Sequence, residues 1–430
     1  MSHFLEKLGN SLGNLMEKMD GQKHFSAVKD GITISIPLTI IGAIATLLAN
    51  PPIPSTLDMN SFVGKLMSGW QAFATSSSGI LNLISSLTMG SLSLFVVISI
   101  TYILAGKYKM NRLNAIICSL ISFLIVAAPF TTIESTKVIP VSYLDAKGLF
   151  TAILVALISV ELTRFLLNHN VKIKMPDSVP PMIAGQFESL IPIVINILFW
   201  WLISWGIQSA AGVLLPQFIL DLLKPLIAVS NSWVMVVVIG LCINGFWLFG
   251  LHGGNIVGAV INPFLLMNLN ENIAAYEAGV EIPNILVSNF HVMFMNFGGA
   301  PAALAILVAI LVVSKSAHQR SIAKAAIVPS LFNISEPVIF GLPIVLNPIL
   351  AIPVLIVPIL NGLVFYFLMY YHVLGRMVLS IPWTIPGFIG GAIATLDWKV
   401  AVLWFVLLAV DVLLFIPFIK MYDKKLEKSE

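Results

Sequence analysis

Apolar residues run through most of this chain in stretches long enough to read as membrane spans. After Gly31 there are twelve, at approximately 31–49, 79–105, 113–130, 148–168, 188–215, 226–251, 256–269, 290–314, 326–346, 347–371, 377–395 and 398–419. A helix needs about 20 predominantly apolar residues to cross a bilayer, and most of these runs qualify. The run 256–269 is short, and prolines at 329, 337, 343, 382 and 386 interrupt 326–346 and 377–395. The pattern predicts an all-α, polytopic membrane protein with about ten transmembrane helices and two re-entrant hairpins. Ahead of the runs, Leu5, Leu8, Leu12, Leu15 and Met19 repeat at alternating spacings of three and four, a helical period. They read as an amphipathic N-terminal helix over 1–26, lying at the membrane interface or packing on a partner subunit.

Positive charge orients the spans. Lys107, Lys109, Arg112, Arg164, Lys172 and Lys174 fall in connections that share a side with Lys7, Lys18, Lys23 and Lys29, so the N-terminus is expected in the cytoplasm. The connections 50–78 and 131–147 face outward. In the second half, one arrangement makes 256–269 and 290–314 cross and turns 326–346 and 377–395 into hairpins, keeping Lys315, Arg320 and Lys324 inside. A competing one makes 256–269 and 326–346 the hairpins, placing Arg376 inside and those three residues outside. Both give ten spans and a cytoplasmic C-terminus with Lys420, Lys424, Lys425 and Lys428, and the first places positive charge better. Three parts are expected: 1–26, an N-terminal transmembrane half at 27–182 and a C-terminal half at 183–430.

Composition points to lipid as the main solvent. Of 430 residues 58% are hydrophobic and 10% charged, against roughly 25% charged in soluble domains, and mean hydropathy is +0.97. Residues 1–30 and 420–430 hold 15 of the 43 charged side chains. A net charge of +3 without a basic block leaves no electrostatic footprint for nucleic acid. Cys118 and Cys242 lie in apolar runs and read as packing thiols. No phosphate loop, dinucleotide fingerprint or zinc-protease motif occurs, so no cofactor or catalytic metal is expected. Transport, if energised, draws on an ion gradient or on another protein.

Ionisable groups inside apolar runs carry the candidate chemistry, because each costs a few kcal/mol in hydrocarbon. Asp30 and Glu188 stand at span edges, Glu161 has Arg164 one turn on, and Asp221 has Lys224 beside it; these read as structural. Asp411 is isolated within the last span. Glu336 differs: it stands in Asn333-Ile334-Ser335-Glu336-Pro337, where proline forces a break in the helix. Broken backbone at membrane depth is tolerated where protein or a wet cavity satisfies it, and carriers build substrate sites that way. A carboxylate that merely caps the hairpin is the structural alternative.

A second constellation runs from Asn244 to Asn255 through Trp247, Gly250, His252, Gly253 and Gly254. A neutral imidazole at such a turn donates and accepts at once, which suits a sugar hydroxyl; a lone histidine beside glycines is more often a turn residue, and the broken-helix carboxylate is what raises the value of this one. His291, with Asn289 and Asn296, is a weaker group of the same kind. Sugar recognition pairs aromatic platforms with amides and carboxylates. That makes Glu336 and His252 the leading candidate site residues, with Trp247, Asn244, Asn255, Asn296, Asn333 and Trp383 as further candidate substrate ligands. For Trp383, in Ile381-Pro382-Trp383-Thr384-Ile385-Pro386-Gly387, packing is an equal alternative.

Three segments together resemble a known family: Asn333-Ile334-Ser335-Glu336-Pro337-Val338-Ile339-Phe340-Gly341-Leu342-Pro343, the glycine turn around His252, and Ala27-Val28-Lys29-Asp30-Gly31 leading to Ile36-Pro37-Leu38. They are similar to the enzyme IIC permeases of the bacterial phosphoenolpyruvate-dependent sugar phosphotransferase system, lactose/cellobiose/diacetylchitobiose branch, over essentially the whole chain. The resemblance implies a homodimer joined through the N-terminal half, with one sugar and two hairpins in the C-terminal half. It also implies a cytosolic enzyme IIB, phosphorylated on its own cysteine, that delivers the phosphoryl group to the sugar's 6-hydroxyl. Neither Cys118 nor Cys242 suits that role, so IIB would be a separate partner. Glu336 would hold the hydroxyl and take its proton while His252 orients it. An ion-coupled symporter is the alternative, and a membrane enzyme acting on lipid or glycan a third class. The substrate is a disaccharide, with a β-linked glucose or N-acetylglucosamine pair slightly favoured.

Overall fold

The structure, a computed structural model, describes residues 22–51, 53, 58–176, 178–342 and 344–427. The helix expected at 5–19 lies outside them. The chain divides by packing into two compact units, 21–227 and 228–430.

The first unit contains α1 (Lys23–Ile34), α2 (Ile36–Ala49), α3 (Phe62–Thr88), α4 (Leu92–Lys107), α5 (Arg112–Ala127), α6 (Leu149–Asn168), α7 (Pro181–Ala211) and nearly all of α8 (Leu215–Ser230). Helix α4 packs on α1, α5 and α6, and α2 packs along α3. The α1–α4 approach is close enough that a Cβ at Gly31 would stand 2.5 Å from Ile100 Cγ1, so a side chain there would drive the helices apart. Because α7 packs on α5 and α6, the unit continues past the 182/183 boundary drawn from the sequence. Glu161 sits between Arg164 at 3.1 Å and His24 at 2.7 Å, and Glu188 lies 3.0 Å from Lys172; the structural reading of both carboxylates fits these partners.

Two differences from the apolar pattern arise here. The connection expected at 50–78 contains the larger part of α3, whose Ser-, Thr- and Gln-bearing turns lower its hydropathy without breaking the helix. The connection 131–147 contains strands β1 (Thr131–Ile133) and β2 (Thr136–Val138), paired antiparallel with Thr131 opposite Val138. The fold is therefore mostly helical rather than all-α.

The second unit comprises α9 (Trp233–Leu248), α10 (Gly253–Glu277), α11 (Phe290–Phe294), α12 (Ala303–Val313), α13 (Ala317–Leu331), α14 (Glu336–Gly341), α15 (Pro348–Tyr370), α16 (Gly387–Thr395) and α17 (Lys399–Glu427). Helix α15 packs on α9 and α17, and α12 on α13 and α17. A core of Ile306, Ile310, Val338, Leu342, Val354, Phe415 and Ile419 joins α12, α14, α15 and α17.

Among the described residues six helices are long and apolar enough to cross a membrane, or seven if α8 and α9 form one broken span. Outward side chains such as Leu222 at 70% and Leu413 at 67% exposure suit lipid contact. The run 256–269 belongs to the 25-residue α10. That helix continues through Asn268 and Asn272, whose Nδ2 atoms donate to the carbonyls of Leu286, Asn284 and Met377 at 2.8–2.9 Å. The run 290–314 is not one helix. It is α11, an irregular segment and the 11-residue α12, which at 1.5 Å per residue spans about 16 Å, half a bilayer core.

Asp423, near the end of α17, accepts from Ser314 Oγ at 3.1 Å, Lys315 N at 2.9 Å and Gln319 Nε2 at 3.1 Å. The 314–319 connection and the C-terminal end of α17 therefore lie on one side. Arg376 bonds the carbonyls of Ile282 and Pro283, in a cleft it lines with Lys399 at the opposite end of α17. Lys315 thus lies beside the C-terminal end of α17.

Candidate functional site

Two helix breaks of the same kind build the site. Helix α9 ends with Gly250 at φ +74°, its N–H donating to Trp247 O and that of Leu251 to Phe246 O, both at 3.0 Å. Helix α13 ends with Asn333 at φ +62°, its N–H donating to Ser330 O at 3.0 Å and that of Ile334 to Pro329 O at 3.2 Å. Both are Schellman closures, which need a left-handed residue after the cap: glycine supplies it in one, asparagine in the other. A new helix starts within three residues of each. His252 caps α10 and Glu336 opens α14, where Pro337 is pre-shaped for a first turn. The break at Asn333 is thus made by the asparagine, and Pro337 restarts the helix rather than ending it.

The restarts bring Glu336 Oε1 to 3.6 Å from His252 Nε2, with both side chains about half exposed. His252 Nδ1 accepts from Asn255 N at 3.1 Å, which assigns the ring proton of the neutral imidazole to Nε2. A donor thus faces a carboxylate across a gap slightly too long for a direct hydrogen bond. One hydroxyl oxygen at about 2.8 Å from each, off the line between them, donates to Glu336 and accepts from His252. The pair can fix a hydroxyl and take its proton.

Around the pair, Trp247 packs on the imidazole with ring centroids 4.5 Å apart and on Phe340 at 6.3 Å. It is only 3% exposed, so it fixes the ring of His252 and offers a ligand no open face. Gly253 must be glycine, since a Cβ would stand 2.0 Å from Ile243 O. Asn333 Nδ2 donates to Trp383 O at 2.7 Å and Ile385 O at 2.9 Å, and Asn289 Nδ2 to Ile381 O at 2.8 Å. The Asn333 amide holds the backbone of Trp383 and Ile385 against the Glu336 loop, the Asn289 amide holds Ile381 beside the start of α11, and Trp383 is 46% exposed.

Asn255 is exposed. Asn244 is fully buried in α9 with Nδ2 on Gly240 O at 3.0 Å. Asn296 is 2% exposed with Nδ2 on His291 O at 3.3 Å. Their Oδ1 atoms have no hydrogen-bond partner among the described residues. Of the residues singled out from the sequence, Glu336, His252, Asn255 and Trp383 are therefore exposed, and Trp247, Asn244, Asn296 and Asn333 are buried. Sequence reasoning missed the irregular segment 295–302. There Gly298 and Gly299 take φ of +76° and +94°, and the backbone of Gly299 lies against Ser335, to whose Cβ a Cβ at 299 would be 2.7 Å. The doubled glycine was the available signal.

A chain of long apolar helices holding a carboxylate–imidazole pair at interrupted segments is a multi-pass membrane carrier. The family model for "Phosphotransferase system, EIIC" matches residues 29–358, and the chain belongs to that family of sugar-specific permeases. It is 33% identical to the cellobiose-specific EIIC component of Geobacillus stearothermophilus, over 100% of this chain and 96% of that one. It is 31% identical to the lactose-specific EIICB component of Lacticaseibacillus casei, over 99% of this chain but 72% of the longer relative. Among solved structures it superposes with a TM-score of 0.87 on the transporter ChbC, the IIC component from the N,N'-diacetylchitobiose-specific phosphotransferase system. That match has 30% identity and covers 98% of each chain. Membership implies a sugar substrate and a IIB partner.

Proposed function

We propose that the chain is a phosphorylation-coupled importer of a β-linked disaccharide such as diacetylchitobiose or cellobiose, presenting the sugar's 6-hydroxyl to a separate, phosphorylated enzyme IIB. The observation that carries this reading is the 3.6 Å approach of His252 to Glu336 at two interrupted helices. In the proposed step Glu336 holds the 6-hydroxyl and accepts its proton as the oxygen attacks the phosphorus on the IIB cysteine; the O–P bond forms while the S–P bond breaks, the cysteine leaves as its thiolate, and His252 orients the attacking oxygen. Asn255 and Trp383 flank the sugar, while buried Trp247, Asn244, Asn296 and Asn333 support these residues from behind. A base so placed contributes about 10²–10⁴-fold.

The acting form is a homodimer of subunits with about ten spans, joined through the N-terminal half, with 326–346 and 377–395 as re-entrant hairpins. The short α14 and α16, of 6 and 9 residues, support the hairpin assignment. Both termini are cytoplasmic. Val338 and Leu342 of the Glu336 hairpin share a core with Phe415 and Ile419, on the half of α17 nearer Asp423. This supports a carboxylate within reach of a donor arriving from the C-terminal side. An ion-coupled symporter is the alternative, and it would draw on an ion gradient instead of phosphoenolpyruvate. Uptake of labelled disaccharides into vesicles tests the reading. It should require phosphoenolpyruvate and the soluble phosphotransferase proteins and ignore ionophores; uptake without them that an ionophore abolishes would contradict it.

A further inference from the structure

We infer that Asp411 is a positioning residue for the sugar site, acting through Asn361 and Met295 on the backbone that supports the Glu336 loop; the inference rests on the site proposed above. Asp411 lies inside α17, 1% exposed, in a span where a carboxylate without a role is costly. Its Oδ2 accepts from Asn361 Nδ2 at 2.7 Å, and the same nitrogen donates to Met295 O at 3.3 Å. The carboxylate thereby fixes the amide of Asn361, and the amide fixes the start of the irregular segment. The Met295 side chain is held from two further directions: a Cβ at Gly240 would stand 3.1 Å from its Cε, and one at Gly362 2.7 Å from its Cγ. Four residues on, a Cβ at Gly299 would stand 2.8 Å from Asn333 O, so that backbone presses on the loop that ends at Glu336. A continuous set of contacts therefore links a buried carboxylate in α17 to the proposed base. The shift of Asn361 that follows loss of Asp411 moves the surface on which Glu336 rests.

The test is a double-mutant cycle on the purified full-length protein, reading affinity for diacetylchitobiose or cellobiose, whichever the wild type binds, together with melting temperature. Asp411→Leu removes the acceptor; Asp411→Asn keeps an oxygen of the same reach. Coupling through the Glu336 loop predicts that D411L weakens binding by about tenfold in the wild type but by less than about threefold in an E336Q background, since residues acting in one network are non-additive. D411N stays within about threefold of wild type. The inference is overturned if D411L folds and binds as the wild type does, or if it weakens binding by the same factor in both backgrounds, as a merely structural residue would. Should D411L not assemble, Asn361→Ala removes both donations and enters the same cycle. A loss of affinity that shrinks in the E336Q background then supports the inference, and no loss, or an equal loss in both backgrounds, overturns it. A wild type that binds sugar unchanged by E336Q brings down the site reading, and this inference with it. A site that responds to E336Q but not to Asp411 brings down this inference alone.

Discussion

Replacing Glu336 by Gln is the most informative single change, because it keeps shape and removes only charge and basicity. The side chain is about half exposed and sits 3.6 Å from His252, so no buried charge or packed core is lost. Stability should move by no more than about 0.5 kcal/mol, as at surface positions. Sugar binding should weaken modestly, because the amide oxygen still accepts a hydroxyl. Exchanging a charged for a neutral acceptor costs about 1 kcal/mol, roughly fivefold in affinity. The phosphoryl-transfer step should suffer more. A positioned base contributes about 10²–10⁴-fold, or about 3–5 kcal/mol of barrier, and coupled uptake should fall by at least about tenfold. The assay is uptake of labelled disaccharide into vesicles supplied with phosphoenolpyruvate and the soluble phosphotransferase proteins, alongside direct binding and a detergent melting curve. Normal coupled uptake by E336Q would refute the assignment of Glu336 as base. A collapse of melting temperature would refute the claim that the carboxylate is not structural.

Substitutions at three further positions separate capping, packing and chemistry. His252→Asn keeps a favoured helix cap but removes the Nε2 donor, so it should preserve the melting temperature and lower coupled uptake by about tenfold or more, whereas His252→Ala should also lose about 1 kcal/mol of capping; equal melting temperatures would contradict the capping role. Gly253→Ala forces a Cβ to 2.0 Å from Ile243 O, and should lower both melting temperature and sugar affinity, because α10 must back away and carry His252 with it. Asp423→Ala strips three donors of their shared acceptor, and should destabilise by about 3 kcal/mol, seen as a lower detergent melting temperature with sugar affinity at 25 °C little changed.

The site's chemistry was legible in the sequence wherever a residue contradicted its surroundings. A carboxylate and a proline inside an apolar run, and a histidine among glycines, marked Glu336 and His252 before any geometry was known. What hydropathy could not convey was conformation within uniformly apolar sequence. Residues 290–314 contain no Asp, Glu, Lys or Arg, yet the left-handed Gly298 and Gly299 divide them into α11, an irregular segment and α12. The opposite error occurred in α10, where Asn268, Glu271 and Asn272 look like an exit from the membrane. Loop carbonyls accept from the Nδ2 atoms of both asparagines, and the helix runs on to Glu277. Long-range partners were equally invisible: nothing near Asp411 in sequence points to Asn361, and the 2.7 Å bond between them exists only because α15 packs on α17. The split between exposed Asn255 and Trp383 and buried Asn244, Asn296 and Trp247 also depends on how the helices face, which residue type alone does not fix.

The central claim concerns contact between one carboxylate and one sugar hydroxyl, and a structure of the protein with bound disaccharide reads it directly. The account predicts a sugar hydroxyl oxygen at about 2.8 Å from both Glu336 Oε1 and His252 Nε2, with Trp383 alongside. A sugar bound elsewhere, with Glu336 turned to lipid or bulk solvent, would contradict it.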